Sequence, residues 1–125
     1  MASRSRGLVI LSWVLQAAAA AIFLLAGSKK LMGDPHMVEV FATVGIGQWF
    51  RILTGTLEVY GDLGLLVPRL AGLSAAMLAV VMVGATVSHL TVLGGSPALA
   101  VALLVACLAI AWLRRDGLVL RRGVA

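Results

Sequence analysis

Two carboxylates stand where an apolar chain has least reason to keep them. In TLEVYGDLGLLVPRL, Thr56 to Leu70, Glu58 and Asp62 lie one helical turn apart among aliphatic residues. Read as a helix, Arg51, Gly55, Glu58 and Asp62 recur at i, i+4, i+7 and i+11 and share a face. A charge inside hydrocarbon costs at least about 2.5–3.5 kcal/mol on insertion scales, so such groups are paired, keep a proton, or line a ligand or ion path. Two carboxylates one turn apart also repel if both ionise. The chemistry on offer is proton binding or recognition of a polar headgroup, and either needs partners.

Candidate partners come from two other apolar runs. Gln16, Ala20, Phe23, Gly27 and Lys30 fall on one face at i, i+4, i+7, i+11 and i+14. Lys30, at the outer edge, can bend its stem toward Glu58 by helix tilt or through a water, while Lys29 points to the headgroups. Met82, Thr86 and His89 form a second stripe at i, i+4 and i+7. The predicted polar intramembrane site is therefore Lys30, Glu58, Asp62, Thr86 and His89. Asp62 either looks toward Gln16 or Ser74 or reaches the cytoplasmic headgroups. A purely structural ion pair at Glu58, fixing helix packing, is the competing reading.

No catalytic, cofactor-binding or metal-binding residue is assigned. There is no nucleophile–base motif and no glycine loop for phosphate. No His/Cys/Asp cluster has metal-ligand spacing, and two histidines, one on a loop, are a poor basis for haem. Cys107 is the only cysteine, so thiol–disulfide exchange would need a partner's thiol.

The elements that must carry these residues are set by composition. Of 125 residues, 62% are hydrophobic and 12% charged, too little polar surface for a soluble domain of this size. The expected fold is all-α: a four-transmembrane-helix antiparallel bundle with a short interfacial helix in the first outer loop. It forms a single integral membrane domain over 1–125, with helices at about 8–31, 49–67, 70–93 and 97–113 and the interfacial helix at about 35–44. The first run is too long for a signal-peptide core and is read as retained. In the loop, Asp34-Pro35 marks a helix start, and Met37, Val40, Phe41 and Val44 make an apolar stripe. LVPRL and LGGSPAL are tight turns. Small-x-x-x-small pairs at Ala17/Ala21 and Gly84/Ser88 suit close helix contact.

With four spans, Arg4, Arg6, Arg69, Arg114, Arg115, Arg121 and Arg122 share one side, against Lys29, Lys30 and Arg51 on the other. That bias predicts both termini in the cytoplasm and a multi-pass protein of the plasma (inner) membrane. The net charge of +5 is thus a topology signal. No basic patch is interleaved with aromatics, which argues against nucleic acid.

Three stretches resemble the DoxX / DoxX-like family of small four-helix integral membrane proteins. LLAGSKKLMG resembles its signature of a glycine followed three residues later by Lys-Leu; LEVYGDLGLL resembles its glutamate with a glycine three residues on; RLAGLSAAMLAVVMVGATVSH resembles its third helix. Carried over by position, the matching residues are Gly27, Lys30, Leu31, Glu58 and Gly61, and no catalytic role travels with them. The family takes its name from a subunit of an archaeal thiosulfate:quinone oxidoreductase, and other members look like parts of membrane redox or oxidative-stress assemblies. The resemblance implies an accessory subunit of such a system, without independent catalytic activity or resident cofactor, but with a quinone contact at the polar site. The implied partners are the lipid bilayer and a membrane redox protein or a second copy of the chain. A small proton-coupled or ligand transporter using Glu58 and Asp62, and a structural scaffold, are the alternatives.

Overall fold

A computed structural model gives the fold and describes residues 6–115. Arg4, Arg121 and Arg122 of the topology argument lie outside the described residues. Among the described residues every regular element is helical: α1 (Arg6–Met32), α2 (Pro35–Val44), α3 (Gln48–Leu65), α4 (Pro68–Ser88), a π-helical turn (His89–Leu93) and α5 (Ala98–Leu113).

The punctuation follows local chemistry. Proline at the first position of α2 needs no N–H partner, and Gly45 closes that helix in the left-handed region at φ 84°, its N–H bonded to Phe41 O. The third long helix starts at Pro68 rather than near Leu70. Val67 is held extended at φ −104°, as the residue before a proline prefers, and the proline becomes the first helical residue instead of part of a linker. Nor does that helix run regularly to its end. From His89 the turn widens, and the Gly94 N–H reaches back five residues to His89 O at 3.1 Å. Gly94 and Gly95, both with positive φ, then reverse the chain into α5.

The helices α1, α3, α4 and α5 pack around one another in a ring, α1 against α3 and α5, α4 against α3 and α5, while α2 lies against α3 and the π turn. The interior combines a few large apolar side chains, Phe23, Leu65, Leu78 and Ile110, with many small and polar ones. Alanines 19, 20, 71, 75, 79 and 100 are buried together with Ser12, Gln16, Glu58 and Asp62. Large side chains such as Leu25, Leu73, Val80, Leu99 and Val105 point outward. So many aliphatic side chains on the outside suit helices whose outer faces meet lipid.

Two helical stretches, Arg6–Met32 and Pro68–Leu93, are long and apolar enough to cross a membrane, with only 28% and 33% of their apolar windows buried inside the bundle. The other two fall short for identifiable reasons. Within α3 stand Arg51, Glu58 and Asp62. The 16 residues of α5 make about 24 Å of helix, against a hydrocarbon core of about 30 Å.

The start of α1 and the end of α5 meet at one end of the bundle. The Arg114 Nε–H is shared between Ser12 Oγ (3.0 Å) and Gln16 Oε1 (2.9 Å), and Gln16 Nε2 donates to Leu65 O, the last residue of α3, at 2.6 Å. The Arg114 guanidinium also lies 5.3 Å from the centre of the Trp13 ring. One buried amide in α1 thus ties down the ends of α3 and α5. Replacing it (Gln16→Leu) leaves the Leu65 carbonyl without that donor and should cost about 1–3 kcal/mol, read as a fall in unfolding free energy in micelles. An unchanged midpoint would show that the amide holds nothing.

Candidate functional site

The site begins with two glycines. A Cβ on Gly27 of α1 would come within 2.9 Å of Val59 Cγ2 and 3.0 Å of Gly55 O. A Cβ on Gly55 of α3 would come within 2.9 Å of Lys30 Cβ and 3.2 Å of Gly27 O. Each glycine therefore makes room for the other helix's backbone. This approach brings the root of Lys30 against α3, and its Nζ donates to Glu58 Oε1 at 2.8 Å. Glu58 is 2% exposed and the Lys30 side chain 15%, so the carboxylate is inside and the ammonium at the rim. No water or unusual reach is needed, because the α1–α3 separation supplies the geometry that helical rise alone left in question.

Arg51 supports the pair from the side. Its Nη1 donates to the backbone oxygen of Lys30 in the last turn of α1, and its Nε donates to Gln48 Oε1 at 2.8 Å. A cation there answers the negative end of the α1 dipole. Gln48 Nε2 in turn donates to Val38 O at 3.0 Å, fastening α2 over the site.

The opposite face of α3 is shaped by Gly61 and Gly64, which receive Leu78 and Ser74 of α4; a Cβ on Gly61 would lie 2.7 Å from Leu78 Cδ2. Beyond these contacts, toward α2, a cleft of about 650 Å³ opens between α3 and α4, bounded by α2 and the π turn. Its walls are mostly apolar, with Phe41, Leu57 and Val81 among them, and Lys30 and Glu58 reach it from the α1 side.

The structure brings together some of the five residues nominated from sequence. Lys30 and Glu58 are in direct contact. His89 lines the cleft, and its Nδ1 is 3.2 Å from Gly94 O. Thr86 gives its hydroxyl to Met82 O at 2.8 Å, a bond within its own helix, and does not line the cleft. Asp62 is 2% exposed, buried in the bundle rather than turned to headgroups, and its Oδ2 has no hydrogen-bond partner among the described residues.

A family model described as the DoxX-like family matches residues 14–112. The chain belongs to the DoxX-like family. The match takes in Gly27, Lys30, Glu58 and Gly61 and stops short of Ser12 and Arg114. No curated protein and no solved structure matches the chain. In this DoxX-like chain the motif residues have distinct physical tasks. Gly27 admits α3, Lys30 and Glu58 form the pair, and Gly61 seats Leu78.

The small-residue pairs read from spacing are not where helices touch. Ala17 and Ala21 are exposed, and a Cβ on Gly84 meets nothing within 4 Å. Sequence reading also left Arg114 and Ser12 unconnected. The polar i, i+4 pair Ser12/Gln16 inside an apolar run was the available signal.

Two outcomes are expected. Lys30→Met should destabilise by about 3–5 kcal/mol, because it leaves a buried carboxylate without its cation, and adding Glu58→Leu should recover most of the loss. Denaturant titration of the single and double variants measures both, and no recovery in the double would rule out a direct pair. Gly55→Ala should cost about 1–3 kcal/mol by forcing α1 and α3 apart, in contrast to Gly84→Ala, which should not destabilise; equal behaviour of the two would contradict the close approach.

Proposed function

We propose that this chain is a four-helix integral membrane protein of the plasma (inner) membrane, both termini cytoplasmic, and that it serves as an accessory subunit of a membrane redox system, contacting quinone at the cleft beside Lys30 and Glu58. The observation that carries the reading is a buried, paired carboxylate on the wall of an apolar cleft. Such a site accepts the tail of an amphiphile along its walls and offers hydrogen bonds to the head at one end. Outward-facing aliphatic side chains on all four long helices, the arginine bias and the meeting of α1's start with α5's end support the topology. Family membership supports the redox setting.

In this reading the electrons move on the quinone and on centres of the partner protein, and this chain binds and orients. Lys30 donates to the head, Glu58 holds Lys30 in place, and α2, fastened by Gln48, covers the outer end. Purification of the tagged chain from native membranes in mild detergent tests it. An oxidoreductase should co-purify and quinone should be extractable from the complex, with Glu58→Gln lowering the quinone content while leaving the partner bound. A chain that purifies without any oxidoreductase contradicts the accessory role.

A further inference from the structure

The unsatisfied hydrogen-bonding capacity where Glu58 lines the cleft indicates which chemical form of a ligand fits. An ionised carboxylate only accepts hydrogen bonds, and it has two oxygens to satisfy. Glu58 Oε1 takes the Lys30 ammonium at 2.8 Å. Glu58 Oε2 receives no hydrogen bond from the described residues. The carboxylate is 2% exposed and reaches the cleft, whereas Lys30 stands at the rim. A head group that reaches Glu58 therefore meets an acceptor.

Charge narrows the choice further. Lys30 and Glu58 cancel, so an anionic head would face a carboxylate and find its nearest cation already engaged. A cationic head on Oε2 would stand beside the Lys30 ammonium and be repelled by it. A carbonyl can accept only from Lys30 and places its own lone pairs against Oε2. A hydroxyl can donate to Oε2 and accept from Lys30 at once, which satisfies both partners of the pair.

We infer that the cleft selects an uncharged amphiphile bearing a phenolic hydroxyl, the hydroquinone rather than the quinone form, through donation of that hydroxyl to Glu58 Oε2. The inference rests on the proposed quinone contact and names the redox form that the site holds. No bond to carbon or oxygen is made or broken on binding; the hydroxyl proton stays on the ligand and is shared with the carboxylate. The open side of Gly84 supplies a control, since this glycine lines the cleft and a Cβ there meets nothing within 4 Å.

The test is equilibrium binding to the full chain in lipid nanodiscs, with decylhydroquinone, decylbenzoquinone and dodecylresorcinol as probes. The last carries two phenolic hydroxyls and an alkyl tail but cannot be oxidised to a simple quinone. The hydroquinone and the resorcinol should bind about tenfold tighter than the quinone, the effect of one good charge-assisted hydrogen bond. Glu58→Gln should bring the three within about twofold of one another, and Gly84→Leu, which fills the cleft without touching the ion pair, should abolish binding of all three. Equal affinity for the oxidised and reduced forms in the unaltered chain, or a preference that survives Glu58→Gln, overturns the inference. If both phenols bind with the expected dependence on Glu58 while no oxidoreductase co-purifies, the selectivity stands and the redox role falls. If an oxidoreductase co-purifies and neither phenol binds better than the quinone, the role stands and the selectivity falls.

Discussion

The contact on which the site depends is the approach of α1 and α3 backbones at Gly27 and Gly55. Neither position has room for a methyl group, since each would-be Cβ sits at or under about 3 Å from atoms of the other helix. Everything polar nearby is arranged by that approach. Lys30 is one turn beyond Gly27 and Glu58 one turn beyond Gly55, so closing the glycine contact closes the ion pair. Arg51, one turn before Gly55, is delivered at the same time to the carbonyl at the end of α1. Three charged side chains are thereby placed by two residues that have no side chain. In an apolar surrounding this order of cause matters, because a charge left without its partner there costs several kcal/mol, and the backbone contact ensures the partner.

The cleft follows from the same use of small residues. On the half of α3 near Leu65, Gly61 and Gly64 let α4 come close through Leu78 and Ser74. On the half near Gln48, α3 presents Phe50, Leu53 and Leu57 to α4, and the wedge between them is the cleft. The helix α2 lies at the open end with Phe41 buried and Phe41 and Phe50 rings 6.0 Å apart, edge to face. Close α3–α4 contact at one end and a cleft at the other leave apolar space beside a fixed polar group. At the far end, Gln16 and Arg114 tie α1 to the ends of α3 and α5.

Much of this was legible in the chain before any coordinates. The helical class followed from long apolar runs, and the family from a glycine three residues before Lys-Leu and a glutamate three before another glycine. The pairing of Lys30 with Glu58 could be nominated because helical spacing is rigid and placed each on an inward face. Its directness could not be read, since the distance between α1 and α3 depends on which glycines meet across the interface. Thr86 stays out of the cleft for a simple reason. A threonine in a helix can satisfy its hydroxyl with the carbonyl four residues back, and Thr86 does so on Met82. Helical spacing carries His89 on a continuing helix, whereas in the structure it opens the wide turn and lines the cleft. Arg114 was read only as a topology marker, because nothing local connects it to Gln16, 98 residues away in sequence.

The central claim is that a glycine-mediated approach of α1 and α3 places the Lys30 ammonium directly on the Glu58 carboxylate. The most direct measurement is the Lys30 Nζ to Glu58 Cδ distance in lipid bilayers, by dipolar-recoupling solid-state NMR on a chain labelled at those two atoms. Strong recoupling, matching the 2.8 Å nitrogen–oxygen contact, is predicted for the unaltered chain, and a clear weakening for Gly55→Ala. Weak recoupling in the unaltered chain, or identical curves for the two, would contradict the account.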